Sequence, residues 1–288
     1  MITMSDLFFG PSGHGETFEQ AGVSSDKIPV LLREKNLDCY EHSFTRGARI
    51  GNDKALAIKN ACEENNILLS VHAPYYINLA NKDPEMIVKS FGYFEECLVK
   101  MKIMGANRLI FHPGSLQGDS REAAAARVKN NLKLLLDDLK QKNLLWDGLE
   151  LCPETMGKHG QVGTPKEVAD FCTVDPIFVP CIDFGHVNAF YQGALKTKND
   201  FVDVLKVFEE KIGERAKSIH IHFSKIEYGS KGEIRHLNFS DEGEPDFRNM
   251  IEALDECGVN ARIISESSGH QVEDSCEMKK YWQTCKKF

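Results

Sequence analysis

Short apolar runs recur along this chain, and each is followed by a polar turn and then by a longer segment with apolar positions three and four apart. Runs of that length, bounded by turn residues, read as buried strands, and the longer segments read as amphipathic helices. The strands fall at 7–10, 39–44, 67–71, 107–111, 148–152, 177–182, 218–222 and 261–265. Helices are expected over 27–35, 52–64, 84–104, 120–142 and 198–212, with one starting at 165, one ending near 257 and one closing the chain. Local signals fix some helix starts. Asp83-Pro84 is an N-cap with proline at the first helical position, and Thr164-Pro165-Lys166-Glu167 is a capping box. The polar stretch from Ser224 to Asp246 reads as a long loop.

Eight strand–helix alternations with short connections predict an α/β protein with a parallel sheet, closed as a single (β/α)8 barrel over residues 1–288. No Pro-, Ser- or Gly-rich linker marks a domain boundary. An open doubly wound sheet is the competing architecture. Its phosphate loop is missing, because the first strand leads into Gly10-Pro-Ser-Gly-His-Gly15 and not into a G-x-G-x-x-G turn.

Composition changes this picture only at the edges. With 42% apolar and 27% charged residues, the chain is typical of a globular protein with a sizeable core. Met1 to Asp6 has no basic region leading into an apolar run, and no stretch approaches the ~18 apolar residues of a membrane span. A cytoplasmic protein without a membrane partner is expected. The nine cysteines are odd in number and form no C-x-x-C pair, which points to reduced thiols. A net charge of −8 argues against a nucleic-acid partner unless part of the acidic excess faces metal; three divalent cations would bring the balance to about −2.

The chemistry gathers where the strands end. The third strand stops at His72, where Pro74 prevents further ladder pairing, and opens into Tyr75, Tyr76 and Asn78. The fourth ends on His112 and the fifth on Glu154. The sixth ends on Asp183, with His186 three residues on. The seventh carries His220, with His236 in its loop, and the eighth ends on Glu266. In a barrel these side chains converge on the face where active sites lie. One such histidine or acid is ordinarily a satisfied structural group. Eight together would repel and bury poorly unless a cation held them, and this mixture suits zinc, manganese or iron(II). His222, two residues after His220, faces the same side of its strand and is expected to support a ligand from behind. His14 and His42 are weaker candidates, and His159 and His270 read as solvated.

These pieces, in order, resemble the endonuclease IV type of apurinic/apyrimidinic endonucleases. They are HAPYYINLA at 72–80, HPGS at 112–115, Glu154 in PETMG, DFGH at 183–186, HIHFSK at 220–225, Arg235-His236 and Glu266 in SES. The resemblance implies a barrel with three zinc ions that hydrolyses the phosphodiester 5′ to an abasic site in duplex DNA, and a monomer is expected. It implies His72, His112 and Glu154 on one ion, Glu154, Asp183, His220 and Glu266 on the second, and His186 and His236 on the third. Catalysis would turn on Glu154, Asp183 and Glu266. Tyr75, Tyr76 and Arg49 would engage DNA by entering the base stack, as suits an enzyme that needs a nucleotide turned out of the helix.

The chain departs from the family at one ligand. The aspartate two residues before the loop histidine is replaced by Ile234, so Glu233 is expected to take its place, and occupancy of the third site depends on it. The outline is also similar to sugar isomerases and epimerases of the xylose-isomerase type, which use one or two divalent ions at carboxylate-rich sites. That is the alternative reading.

Overall fold

The apolar runs form eight parallel strands: β1 Leu7–Pro11, β2 Cys39–Ser43, β3 Leu68–His72, β4 Arg108–Phe111, β5 Glu150–Pro153, β6 Cys181–Asp183, β7 Ser218–Phe223 and β8 Asn260–Ser265. They come from a computed structural model that describes residues 5–286. Met1 to Met4, part of the stretch read for a targeting signal, lie outside the described residues.

The strands hydrogen-bond in two arcs, β1-β8-β7-β6 and β2-β3-β4-β5. Parallel bridges between Ser12 and Glu41 and between Glu154 and Cys181 join the arcs at both seams and close the barrel. At the first seam the Gly13 N–H donates to the Glu41 carbonyl at 2.9 Å, and at the second the Thr155 N–H donates to the Cys181 carbonyl at 3.0 Å. β1 and β2 approach so closely that a Cβ on Gly10 would stand 1.7 Å from the Cys39 carbonyl oxygen, so only glycine fits there.

The outer layer is α1 Ile28–Glu34, α2 Asn52–Asn65, α3 Pro84–Met104, α4 Arg121–Gln141, α5 Pro165–Phe171, α6 Lys198–Ile212, α7 Phe247–Glu256 and α8 Gln271–Cys285. Their starts follow the capping signals. The Asp83 side chain accepts from the Glu85 N–H, and Thr164 and Glu167 form the reciprocal box. On α4, Ala124, Val128, Leu132, Leu135 and Leu139 form one fully buried stripe. Each large member contributes about 1.5–3 kcal/mol by leaving water. The nine cysteines are all free thiols. Among the described residues, no helix is long and apolar enough to cross a membrane.

The connections on the C-terminal face differ from expectation. The stretch expected to be a long loop contains an antiparallel hairpin, Lys225–Gly229 with Gly232–Leu237. A short helix, Phe184–Phe190, begins directly after β6. Another, Gly15–Gln20, follows β1.

Candidate metal centre

The strand ends build the site in layers, because neighbouring parallel strands set which residues stand level. Asp183 pairs in register with His222, and Cys181 with His220. Side chains two apart on a strand share a face but differ by about 6–7 Å along it. The structure therefore brings His222, not His220, to the level of the carboxylates. Glu154, Asp183, His222 and Glu266 come together with their donor atoms within 4.8 Å of one another. The expectation that His220 joins this group is corrected, and so is the supporting place given to His222. His220 lies one layer deeper, beside Cys181 and Glu41, with its Nε2 3.1 Å from Glu41 Oε2.

Glu154 is the hub. It is fully buried, and its two oxygens face different partners. Oε2 lies 3.2 Å from His72 Nε2 and 3.1 Å from His112 Nε2. Oε1 lies 3.2 Å from His222 Nδ1 and 3.4 Å from His186 Nδ1. Burial alone would raise its acid, but His112 and His222 hold it well below the usual carboxylate range. His72, His112 and Glu154 form a second close group, and Asp183, His186 and His236 a third.

Local folding aims these rings. His72 Nδ1 lies 2.8 Å from the Ala73 carbonyl, so its N–H donates there and Nε2 is left for Glu154. Asp183 caps the short helix by accepting the His186 N–H at 2.7 Å, which fixes the first turn and the imidazole on it. His186 Nδ1 lies 2.9 Å from the Thr155 carbonyl, and its Nε2 is 3.5 Å from Glu233 Oε2. His236 is held from behind, its Nδ1 2.8 Å from Ser224 Oγ.

Glu233 reaches this third group because the hairpin docks tightly on the loop after Glu154. Its N–H donates to the Gly157 carbonyl at 3.0 Å. A Cβ on Gly232 would meet that same carbonyl oxygen at 2.1 Å, and one on Gly157 would meet Glu233 Cβ at 2.8 Å, so both positions require glycine. Ile234 is 56% exposed and takes no part.

The donor set fits divalent cations. Three imidazole–carboxylate groups share Glu154 or Asp183. Asp183 Oδ2 is buried without a hydrogen-bond partner, and burial raises the Asp183 acid. A cation would satisfy that oxygen and keep the group ionised.

A cavity of about 400 Å³ opens over the centre, lined among others by Tyr75, Met156, Lys158, Gln161 and Glu233. Tyr75 leans over the imidazoles, its ring centroid 5.3 Å from that of His112, yet stays 57% exposed. Tyr76 is equally exposed beside it. Arg49 is exposed on the loop after β2 and does not line the cavity. His14 and His42 border a separate pocket between the ends of β1, β2 and β8. His159 is tied to the Phe190 carbonyl at 2.9 Å, so it is not merely solvated. Glu41 and Lys158 escaped the sequence reading. An acid inside the buried β2 run was the signal for Glu41, since a buried charge demands partners; nothing local marked Lys158.

Residues 31–284 match the family model described as xylose isomerase-like TIM barrel. An uncharacterised protein of Methanocaldococcus jannaschii is 34% identical over 96% of this chain and 97% of its own length. A probable endonuclease 4 of Acholeplasma laidlawii is 30% identical over 58% of this chain and 56% of its own length, so the chain spans about half of that relative. Endonuclease IV from Thermus thermophilus superposes with a TM-score of 0.70 at 18% identity, covering 98% of this chain and 99% of that one. A D-tagatose 3-epimerase-like protein superposes with a TM-score of 0.71 at 18% identity, covering 97% and 98%. At that identity both structures speak for the fold alone.

Proposed function

The chain belongs to the xylose isomerase-like TIM barrel family, and on that premise we propose that it is a metal-dependent phosphodiesterase acting at abasic sites in duplex DNA. The observation that carries this reading is Glu154, whose Oε2 faces His72 and His112 while its Oε1 faces His222, so that it belongs to two of the close groups. That is the disposition of a carboxylate shared between two cations. The partial likeness to probable endonuclease 4 proteins supports the same reading.

His72, His112 and Glu154 would hold one ion. Glu154, Asp183, His222 and Glu266 would hold the second, and Asp183, His186, His236 and Glu233 the third. Zinc suits this set best, with manganese or iron(II) as substitutes. Cations bound there would supply Lewis acidity toward a phosphate and a water at neutral pH. The chain's own groups do the rest. Lys158 at the cavity rim, 3.9 Å from Glu233, would orient a phosphate oxygen. Tyr75 and Tyr76 offer exposed rings beside the centre on which unstacked bases could rest. Exposed Arg49 would meet the backbone farther out.

A duplex oligonucleotide with one abasic analogue tests the proposal. One incision on its 5′ side, leaving a 3′-hydroxyl that a polymerase extends, is expected from the metal-loaded protein.

A second reading has its own observation. The group Glu154, Asp183, His222 and Glu266 would suffice for a single cation in a sugar epimerase. Intact abasic DNA together with turnover of a ketose in manganese would replace the nuclease by that activity.

A further inference from the structure

We infer that Glu41 is a positioning residue for the metal centre: it fixes the tautomer and direction of His222 from the barrel interior. The inference rests on the metal-centre reading above. Glu41 is fully buried in β2 and touches none of the three ligand groups except through His222. Its Oε1 lies 3.0 Å from His222 Nε2. The opposite ring nitrogen, Nδ1, lies 3.2 Å from Glu154 Oε1 and 3.3 Å from Glu266 Oε2. Glu41 Oε1 and His222 Nε2 are close but out of line for a hydrogen bond, and neither has another hydrogen-bond partner; the carboxylate charge beside Nε2 draws the ring proton there and leaves Nδ1 as the lone-pair nitrogen. His222 is then ready to bind a cation among the carboxylates without rotating.

Glu41 is itself held on its other oxygen. Ser70 Oγ donates to Oε2 at 2.9 Å, and His220 Nε2 lies 3.1 Å from the same atom. This gives His220 a purpose in the deeper layer, as a partner of the carboxylate rather than of the ion. The arrangement differs from the other anchored rings. His72 and His186 each lean on a neutral backbone carbonyl through Nδ1. His222 leans on a charge, which raises the basicity of its free nitrogen and offsets cation charge from below. Such outer carboxylates are worth about ten- to a hundredfold in metal affinity.

Zinc titration of the parent, E41Q and E41A against a chromophoric chelator tests this, with far-UV circular dichroism as the fold control. In E41A one zinc equivalent is expected to weaken about ten- to a hundredfold while the others keep parental affinity. E41Q, which keeps the side chain's shape but removes its charge, is expected to lose severalfold at that same equivalent and to stand as the deciding variant if E41A does not fold. A merely structural role would loosen every equivalent together. Unchanged affinity at all equivalents, or uniform loosening, overturns the positioning role while the metal-centre reading stands. A parent that binds no zinc overturns that reading and this inference with it.

Discussion

Replacing Glu154 with glutamine changes one oxygen to nitrogen and removes one charge, leaving the volume of a fully buried side chain intact. The fold should survive, because the amide still fits between His72 and His112 on one side and His222 and His186 on the other. The centre should not. A buried carboxylate facing bound cations carries the charge that balances them, and the amide carries none. Removing one partner of such a buried arrangement costs about 3–5 kcal/mol in practice. Because the side chain faces two groups, both cations it would share should weaken, by about a hundred- to several-thousandfold in affinity. Incision of abasic duplex should fall at least as far, since an amide is a poor bridging ligand. Circular dichroism, chelator competition and a nicking assay on one protein batch measure all three. A Glu154→Gln protein that keeps its metal and nicks near the parental rate would show that Glu154 is not shared between cations.

Three other outcomes follow from particular contacts. His222→Ala should abolish incision and release a cation, whereas His220→Ala, one layer deeper, should cost activity far less; equal effects on metal content would contradict the layering. Replacing Tyr75 and Tyr76 together with alanine should weaken binding to abasic duplex at least tenfold at fixed salt, because base stacking is worth about 1–3 kcal/mol per base, and should leave metal content unchanged. Burial pushes the His42 pKa down to about 4, and the Tyr40 hydroxyl lies 3.4 Å from its Nδ1. Since the unfolded chain takes up this proton near pH 6.5 and the folded chain does not until about 4, stability is full above 6.5 and is lost as pH falls through that window. The His42 contribution to the loss between pH 7 and 5 should be about 2 kcal/mol by urea unfolding, so His42→Gln should lose that much less than the parent.

How much of this could be read in the sequence depends on whether the cause is local. The barrel was legible because eight short runs alternate with amphipathic helices, and the capping residues at Asp83 and Thr164 mark their helices in both sequence and structure. The gathering of imidazoles and carboxylates at strand ends followed from the closed parallel sheet. The choice between His220 and His222 did not. Period two turns both inward, and only the register against β6, with Asp183 level with His222, separates them. Glu41 was hidden for the same reason, since its partners His220 and His222 lie far along the chain. The hairpin has its own signal inside the polar stretch: Gly229-Ser-Lys-Gly232 is a tight turn between two alternating runs, and its docking carries Glu233 to His186. The helix from Phe184 starts at a capping aspartate that first reads as a ligand, and the two readings are compatible, since Asp183 caps with Oδ1 while Oδ2 has no hydrogen-bond partner.

Metal content per chain by elemental analysis, on protein loaded with zinc and desalted, alongside Glu154→Gln, tests the shared centre most directly. About three zinc ions are expected in the parent, with loss of about two in the variant. A parent that retains about one ion or none, with the variant unchanged from it, contradicts the shared centre.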